Sequence, residues 1–146
     1  MTEVLTRDLV VAPGSARTKD EAIREAGALL VDCGAVTPAY VDAMAEREHL
    51  VSTYMGSYLA IPHGTDESKG HIRRSALCLI RYDAPIEWGI GQPVRVVVGI
   101  AGVGEEHLSI LSKVALVFSN PDEVQRVLDA AGPGELYDLI QQVNAA

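Results

Sequence analysis

The triplet Pro62-His63-Gly64 follows the apolar run Leu59-Ala60-Ile61 and brings it to a stop. Proline fixes its own φ and has no N–H, and glycine enters backbone conformations closed to other residues. Such a triplet ends a strand and holds one imidazole at its rim. Imidazole titrates near neutrality, so its unprotonated form is available as a nucleophile or a metal ligand at cellular pH. A hydrogen-bonded turn histidine has the same local sequence, and the triplet alone leaves both readings open.

Two more side chains bear on that choice. Arg47 is predicted near the end of a helix that Thr37 and Pro38 begin and whose apolar face is Val41, Met44 and Ala45. A guanidinium there is either a solvated group favoured by the helix dipole or a fork for an anion. The stretch from Leu50 to Gly56 reads as loop and is short enough to let Arg47 meet His63. His107 falls in the first turn of a helix predicted from about Glu105, where free backbone N–H groups suit negative charge. Periodicity does not show that these places adjoin.

The elements that must position them are readable in order. Asp8 to Ala12 reads as a short first strand or extended lead, closed by Pro13-Gly14. Thr18, three residues before Glu21, is predicted to share a capping box with it, and Ala22, Ile23, Ala26, Leu29, Leu30 and Cys33 then recur at helical spacing. Ala76 to Ile80 is a continuous apolar run, as expected of a strand covered on both faces. Asp83-Ala84-Pro85 is predicted to turn the chain, leaving Ile86 to Gly91 as an edge or loop with Trp88 packed on the core. Val94 to Ala101 is the clearest strand. The helix after it is predicted to turn Leu108, Leu111, Val114, Ala115 and Phe118 inward. Asn120-Pro121 caps a further helix, and Leu136, Leu139, Ile140 and Val143 mark a last one. Helices alternating with strands in this way imply an α/β fold, with a central sheet covered on both faces.

Composition narrows the function. Twenty acidic against twelve basic side chains give a formal charge of −8, and Lys and Arg do not cluster, so nucleic acid is not an expected partner. At 146 residues, 48% of them hydrophobic, one domain is expected. With neither a secretory leader nor a spanning run expected, the reading is a cytosolic protein without membrane insertion. Cys33 and Cys78 lack Cys-x-x-Cys spacing and read as buried reduced thiols. Gly102-Val103-Gly104 lacks the third glycine of a dinucleotide loop, and no Gly-Lys-Ser/Thr supports a P-loop.

Three separated motifs carry a resemblance: Glu46-Arg47-Glu48, Leu59-Ala60-Ile61-Pro62-His63-Gly64-Thr65, and Gly99-Ile100-Ala101 followed by Glu105-Glu106-His107-Leu108. In order and spacing they resemble the mannitol/fructose type of phosphotransferase-system (PTS) enzyme IIA, from about Leu5 to Ile140. The resemblance implies a single type-2 IIA domain over residues 1–146, built on one mixed sheet of about five strands with helices on both faces. It implies that His63 accepts a phosphoryl group, with Arg47 and His107 stabilising the charge on its oxygens. The implied donor is the phosphocarrier HPr, charged by enzyme I from phosphoenolpyruvate. The implied acceptor is a cysteine of the cognate enzyme IIB, which phosphorylates the sugar as membrane IIC imports it. No cofactor or metal is expected. Gly64-Thr65 followed by Lys69, together with Ile86-Glu87-Trp88-Gly89, looks closer to the mannitol type than to the fructose type, where alanine often follows the histidine.

Lesser expectations complete the reading. Tyr58, Leu59 and residues near Leu108 are candidates for partner docking or for core packing. Thr65 or Ser57 could add a hydroxyl to the phosphoryl site. His49 and His71 are expected at the surface, and Glu46, Glu48, Asp66 and Glu67 in solvent. The rivals are a regulatory IIA of the nitrogen-related kind, which sends no phosphate to sugar, and a metal-dependent hydrolase built on His63 and His107, for which a third ligand is wanting.

Overall fold

Side-chain alternation along two long strands sets the layering. The computed structural model describes residues 3–144. Its strands are β1 (Val10–Val11), β2 (Tyr54–Gly56), β3 (Leu59–Ala60), β4 (Ala76–Glu87) and β5 (Pro93–Ala101). Its helices are α1 (Lys19–Asp32), α2 (Pro38–Leu50), α3 (Glu106–Phe118), α4 (Pro121–Asp129) and α5 (Pro133–Ile140). On one face of the sheet Leu77, Leu79 and Val98 meet Val114, Val117 and Phe118 of α3 and Ile140 of α5. On the other, the Cys78 thiol reaches the Ala26 carbonyl of α1 at 3.4 Å, and the Tyr82 hydroxyl donates to Glu25 at 2.6 Å. Over the apolar first half of β4, residues at odd and even positions are thus both covered, as the run Ala76 to Ile80 requires. Burying each large aliphatic side chain of this kind contributes about 1.5–3 kcal/mol.

The sheet runs β1-β4-β5-β3-β2. β4 and β5 pair antiparallel, with Leu77 opposite Ile100 and Cys78 opposite Gly99. β1 joins β4 and β3 joins β5 in parallel, and β2 folds back antiparallel on β3. The mixed five-stranded sheet with helices on both faces is the expected architecture. Burial pushes the Cys78 thiol up to about 12, so it stays protonated and inert, while Cys33 is half-buried and unpaired by disulfide.

Several local expectations are corrected. Asp83-Ala84-Pro85 does not turn the chain: β4 continues to Glu87 through a register shift between Arg81 and Ile86, where Pro85 owes no ladder hydrogen bond. The reversal comes later, at Trp88–Gln92, closed by Trp88 N–H to the Gln92 carbonyl at 2.9 Å. The loop-like stretch up to Gly56 contains β2, and the β2–β3 turn passes Gly56, Ser57 and Tyr58 at φ of 83°, 53° and 65°. Thr37 makes no side-chain cap, and its hydroxyl is buried without a partner. Thr18 does cap α1, accepting from the Glu21 N–H at 3.2 Å, but the Glu21 carboxylate takes the Arg17 N–H at 3.0 Å instead of closing the box. In α3 the inward face is Ile110, Val114, Val117 and Phe118, while Leu108 and Ala115 face solvent. Among the described residues no helix is long and apolar enough to cross a membrane.

Candidate functional site

His63 stands where the pairing of β3 with β5 runs out. Beyond Ala60 the chain keeps contact with β5 through an isolated parallel bridge between His63 and Ile100 and through the Ile100 N–H, which donates to the Pro62 carbonyl at 3.0 Å. The His63 Nδ1 lies 2.9 Å from the Ile61 carbonyl oxygen. A carbonyl only accepts, so Nδ1 carries the hydrogen and Nε2 keeps the free lone pair. Burial pushes the half-buried ring below its ordinary pKa; the Ile61 carbonyl opposes this, and the nearby Arg47 charge adds to it. The ring is therefore neutral at neutral pH, with its Nε2 lone pair open.

Gly64 is needed for space. A Cβ there would lie 2.4 Å from Ser68 Oγ and 2.5 Å from the Tyr40 ring. That close approach lets the Gly64 N–H donate to the Tyr40 hydroxyl at 2.9 Å, while the hydroxyl donates to the Ile100 carbonyl at 2.8 Å. Buried Tyr40 thus ties α2 to the end of β5 and to the residue after His63.

His107 arrives from the far side. α3 begins at Glu106, one residue later than expected. The His107 and His63 ring centroids are 5.1 Å apart with the planes tilted by 58°. Burial lowers the His107 pKa, helped by His63 and Lys69 and opposed by Asp66. Arg47, in the last turn of α2, donates from Nη1 to the Val51 carbonyl at 2.5 Å, which leaves its other guanidinium N–H groups for a ligand.

These side chains line one cleft of about 480 Å³. Arg47, His63 and His107 meet there, with Tyr40, Thr65 and Lys69 beside them and Asp66 and Glu67 at its edge. Asp66 and Lys69 pair at 3.9 Å. Leu50 and Val51, 68% and 63% exposed, form an apolar lip, and Leu108, 67% exposed, sits next to His107. Thr65 is where a hydroxyl contact was expected; Ser57 is not among the lining residues. Leu59 is core, whereas Tyr58 is open to solvent. His49 and His71 are exposed, as are Glu46, Asp66 and Glu67. Glu48 is not: it is buried, against expectation, and accepts from Trp88, Thr53, Ser52 and Lys19. Among the described residues no three His, Cys, Asp or Glu side chains gather as a metal centre would need.

Residues 3–143 match the family described as "Phosphoenolpyruvate-dependent sugar phosphotransferase system, EIIA 2". The chain belongs to this family. Among its relatives, the mannitol-specific phosphotransferase enzyme IIA component of Halalkalibacterium halodurans is 48% identical, over 97% of each chain. The Staphylococcus aureus protein of the same description is 43% identical, over 99% of this chain and all of the relative. In three dimensions this IIA chain is similar to Escherichia coli enzyme IIA-mannitol in its complex with phosphorylated enzyme IIB-mannitol. The TM-score is 0.88 at 31% identity, covering 93% of this chain and 96% of the other.

Sequence reasoning missed four members of this cleft and its surroundings. Tyr40 and Gly102 carry no local signal, since their roles depend on elements distant in sequence. Lys69 stood in the sequence only as a mark of subtype. Glu48 lay inside a recognised motif, but nothing local says that a carboxylate at a helix end is buried.

Proposed function

We propose that this IIA chain works as one domain that carries phosphoryl groups on His63, taking them from phosphorylated HPr and passing them to a cysteine of a mannitol-type enzyme IIB. What supports this best is that one cleft joins an imidazole with a free Nε2 to a guanidinium and a second imidazole. The full-length match to mannitol-specific relatives supports the sugar class. The location proposed with this role is the cytoplasm, shared with the donor HPr.

In the loading step the Nε2 lone pair attacks the phosphorus of the donor phosphohistidine in line. The new Nε2–P bond forms as the donor N–P bond breaks, and the released electron pair returns to the donor ring. Nδ1–H stays on His63 throughout, so the loaded ring gains positive character that the Ile61 carbonyl stabilises. The Arg47 N–H groups and the His107 ring N–H serve the equatorial oxygens, where charge spreads in a loose transition state. In the unloading step a IIB thiolate attacks the same phosphorus, the Nε2–P bond breaks, and the lone pair returns to His63 as a neutral ring.

The test is to mix native protein and His63→Ala with phosphoenolpyruvate, enzyme I and HPr. An acid-labile phosphate on native protein alone is expected; an adduct on His63→Ala overturns the assignment. Adding IIB separates transport from the regulatory alternative, since only a transport component loads the IIB cysteine.

A further inference from the structure

Glu48 follows Arg47 in the chain, yet Arg47 lines the cleft while Glu48 is 5% exposed. Its carboxylate accepts from Trp88 Nε1–H at 2.6 Å, from the Thr53 N–H at 3.0 and 3.1 Å, and from the Thr53 hydroxyl at 2.5 Å. The Ser52 hydroxyl, at 3.1 Å, and the Lys19 ammonium, at 3.2 Å, complete its partners. Burial opposes ionisation, but the bonds from Thr53, Trp88 and Lys19 together hold this carboxyl below its ordinary pKa.

The bonds do not end at Thr53. Its carbonyl accepts from the Ile61 N–H at 3.1 Å, and the Ile61 carbonyl accepts from His63 Nδ1 at 2.9 Å. The residue that selects the His63 tautomer therefore hangs from the segment, just before β2, that Glu48 holds. Arg47 ties the same segment by its bond to the Val51 carbonyl. The two halves of the cleft, on α2 and at the end of β3, are thereby set at a fixed separation.

We propose that Glu48 is a positioning residue for phosphoryl transfer: through Thr53 and Ile61 it fixes which His63 nitrogen is free and how far that ring stands from Arg47. A buried ionic group is a weak source of stability compared with apolar packing. Linking specific donors on several elements is instead what setting geometry demands. The proposal rests on the phosphohistidine reading given above.

Glu48→Gln keeps the size but must point an NH2 group at donors already present, so the Thr53 anchor loosens. Histidine ¹⁵N spectra of the full chain report the tautomer without any phosphorylation. In native protein His63 should be the Nδ1–H form; in Glu48→Gln it should become a mixture. Loading from phosphorylated HPr, compared at equal folded fraction, should fall about tenfold or more. Glu48→Asp, which restores the charge, should recover part of both. Asn144→Ala removes the clamp on the Val4 and Leu5 N–H groups and serves as a destabilised control that should keep native tautomer and rate. A native tautomer with a rate within about twofold in Glu48→Gln overturns the proposal, as does an equal loss of rate in Asn144→Ala. Should Glu48→Gln not fold, Thr53→Val is read by the same two criteria. Failure of the phosphohistidine reading would show separately, as native protein that takes no phosphate while the tautomer result stands.

Discussion

The Cα of His107 occupies the space where a side chain on Gly102 would begin: a Cβ there would lie 2.4 Å from it. Residue 102 at the end of β5 and the first turn of α3 are in backbone contact, and this brings the second imidazole to the first. Gly102→Ala must push α3 away, since backbone cannot yield as a flexible side chain can. We expect a loss of about 1–3 kcal/mol in stability from overpacking. Loading of His63 should slow by about a hundredfold as the rings separate. Urea unfolding and a loading assay check both; a native loading rate would mean that the 5.1 Å ring spacing is immaterial.

Tyr40→Phe removes one hydroxyl and two hydrogen bonds, leaving the Gly64 N–H and the Ile100 carbonyl without it. The cost expected is about 1–3 kcal/mol, because both partners sit in or beside the core. Amide hydrogen exchange at Gly64 should speed up. Unchanged exchange there would show that water replaces the phenol without loss.

Arg47→Gln removes the forked cation from the cleft but leaves the α2 core face intact. Transfer from His63 to the IIB cysteine should fall by about 10²–10³, while folding stability moves by less than about 1 kcal/mol. The His63 titration midpoint should rise, because the Arg47 charge is one of the causes that lower it. A midpoint that stays or drops would place the guanidinium elsewhere in solution.

Acid should weaken both the fold and the reaction. Burial is the largest cause holding His63 and His107 below the ordinary histidine value of about 6.5. As pH falls, the unfolded chain therefore takes up protons on these rings before the folded one does. Stability from the neutral rings is complete above that value and is lost as pH falls toward the folded midpoints. The urea midpoint should be lower at about pH 5.5 than at pH 7.5, and loading should decline in the same acid range. An NMR titration placing His63 above its ordinary value would reverse the sign of its contribution to stability and move the decline in loading to higher pH.

How much of this was legible in the sequence depended on how local the cause was. Val96 to Ala101 of β5 and the apolar half of β4 announced themselves because burial on both faces leaves no polar position to blur the pattern. His63, Arg47 and His107 were legible as a set through motif order, and the cleft holds all of them. Pro85 misled because proline usually ends a strand, yet a register shift gives it a place without a partner. Leu108 misled because the apolar residues of α3 fit more than one helical phase, and the sheet selects Ile110 instead. Tyr40 and Glu48 act through residues as far off as Ile100 and Trp88, and no window along the chain contains both ends.

The bond from His63 Nδ1 to the Ile61 carbonyl leaves the ring a single open nitrogen. If His63 carries the phosphoryl group as proposed, arrival and departure use one doorway. HPr and IIB would then take turns at it, and a surplus of either would hold up the other.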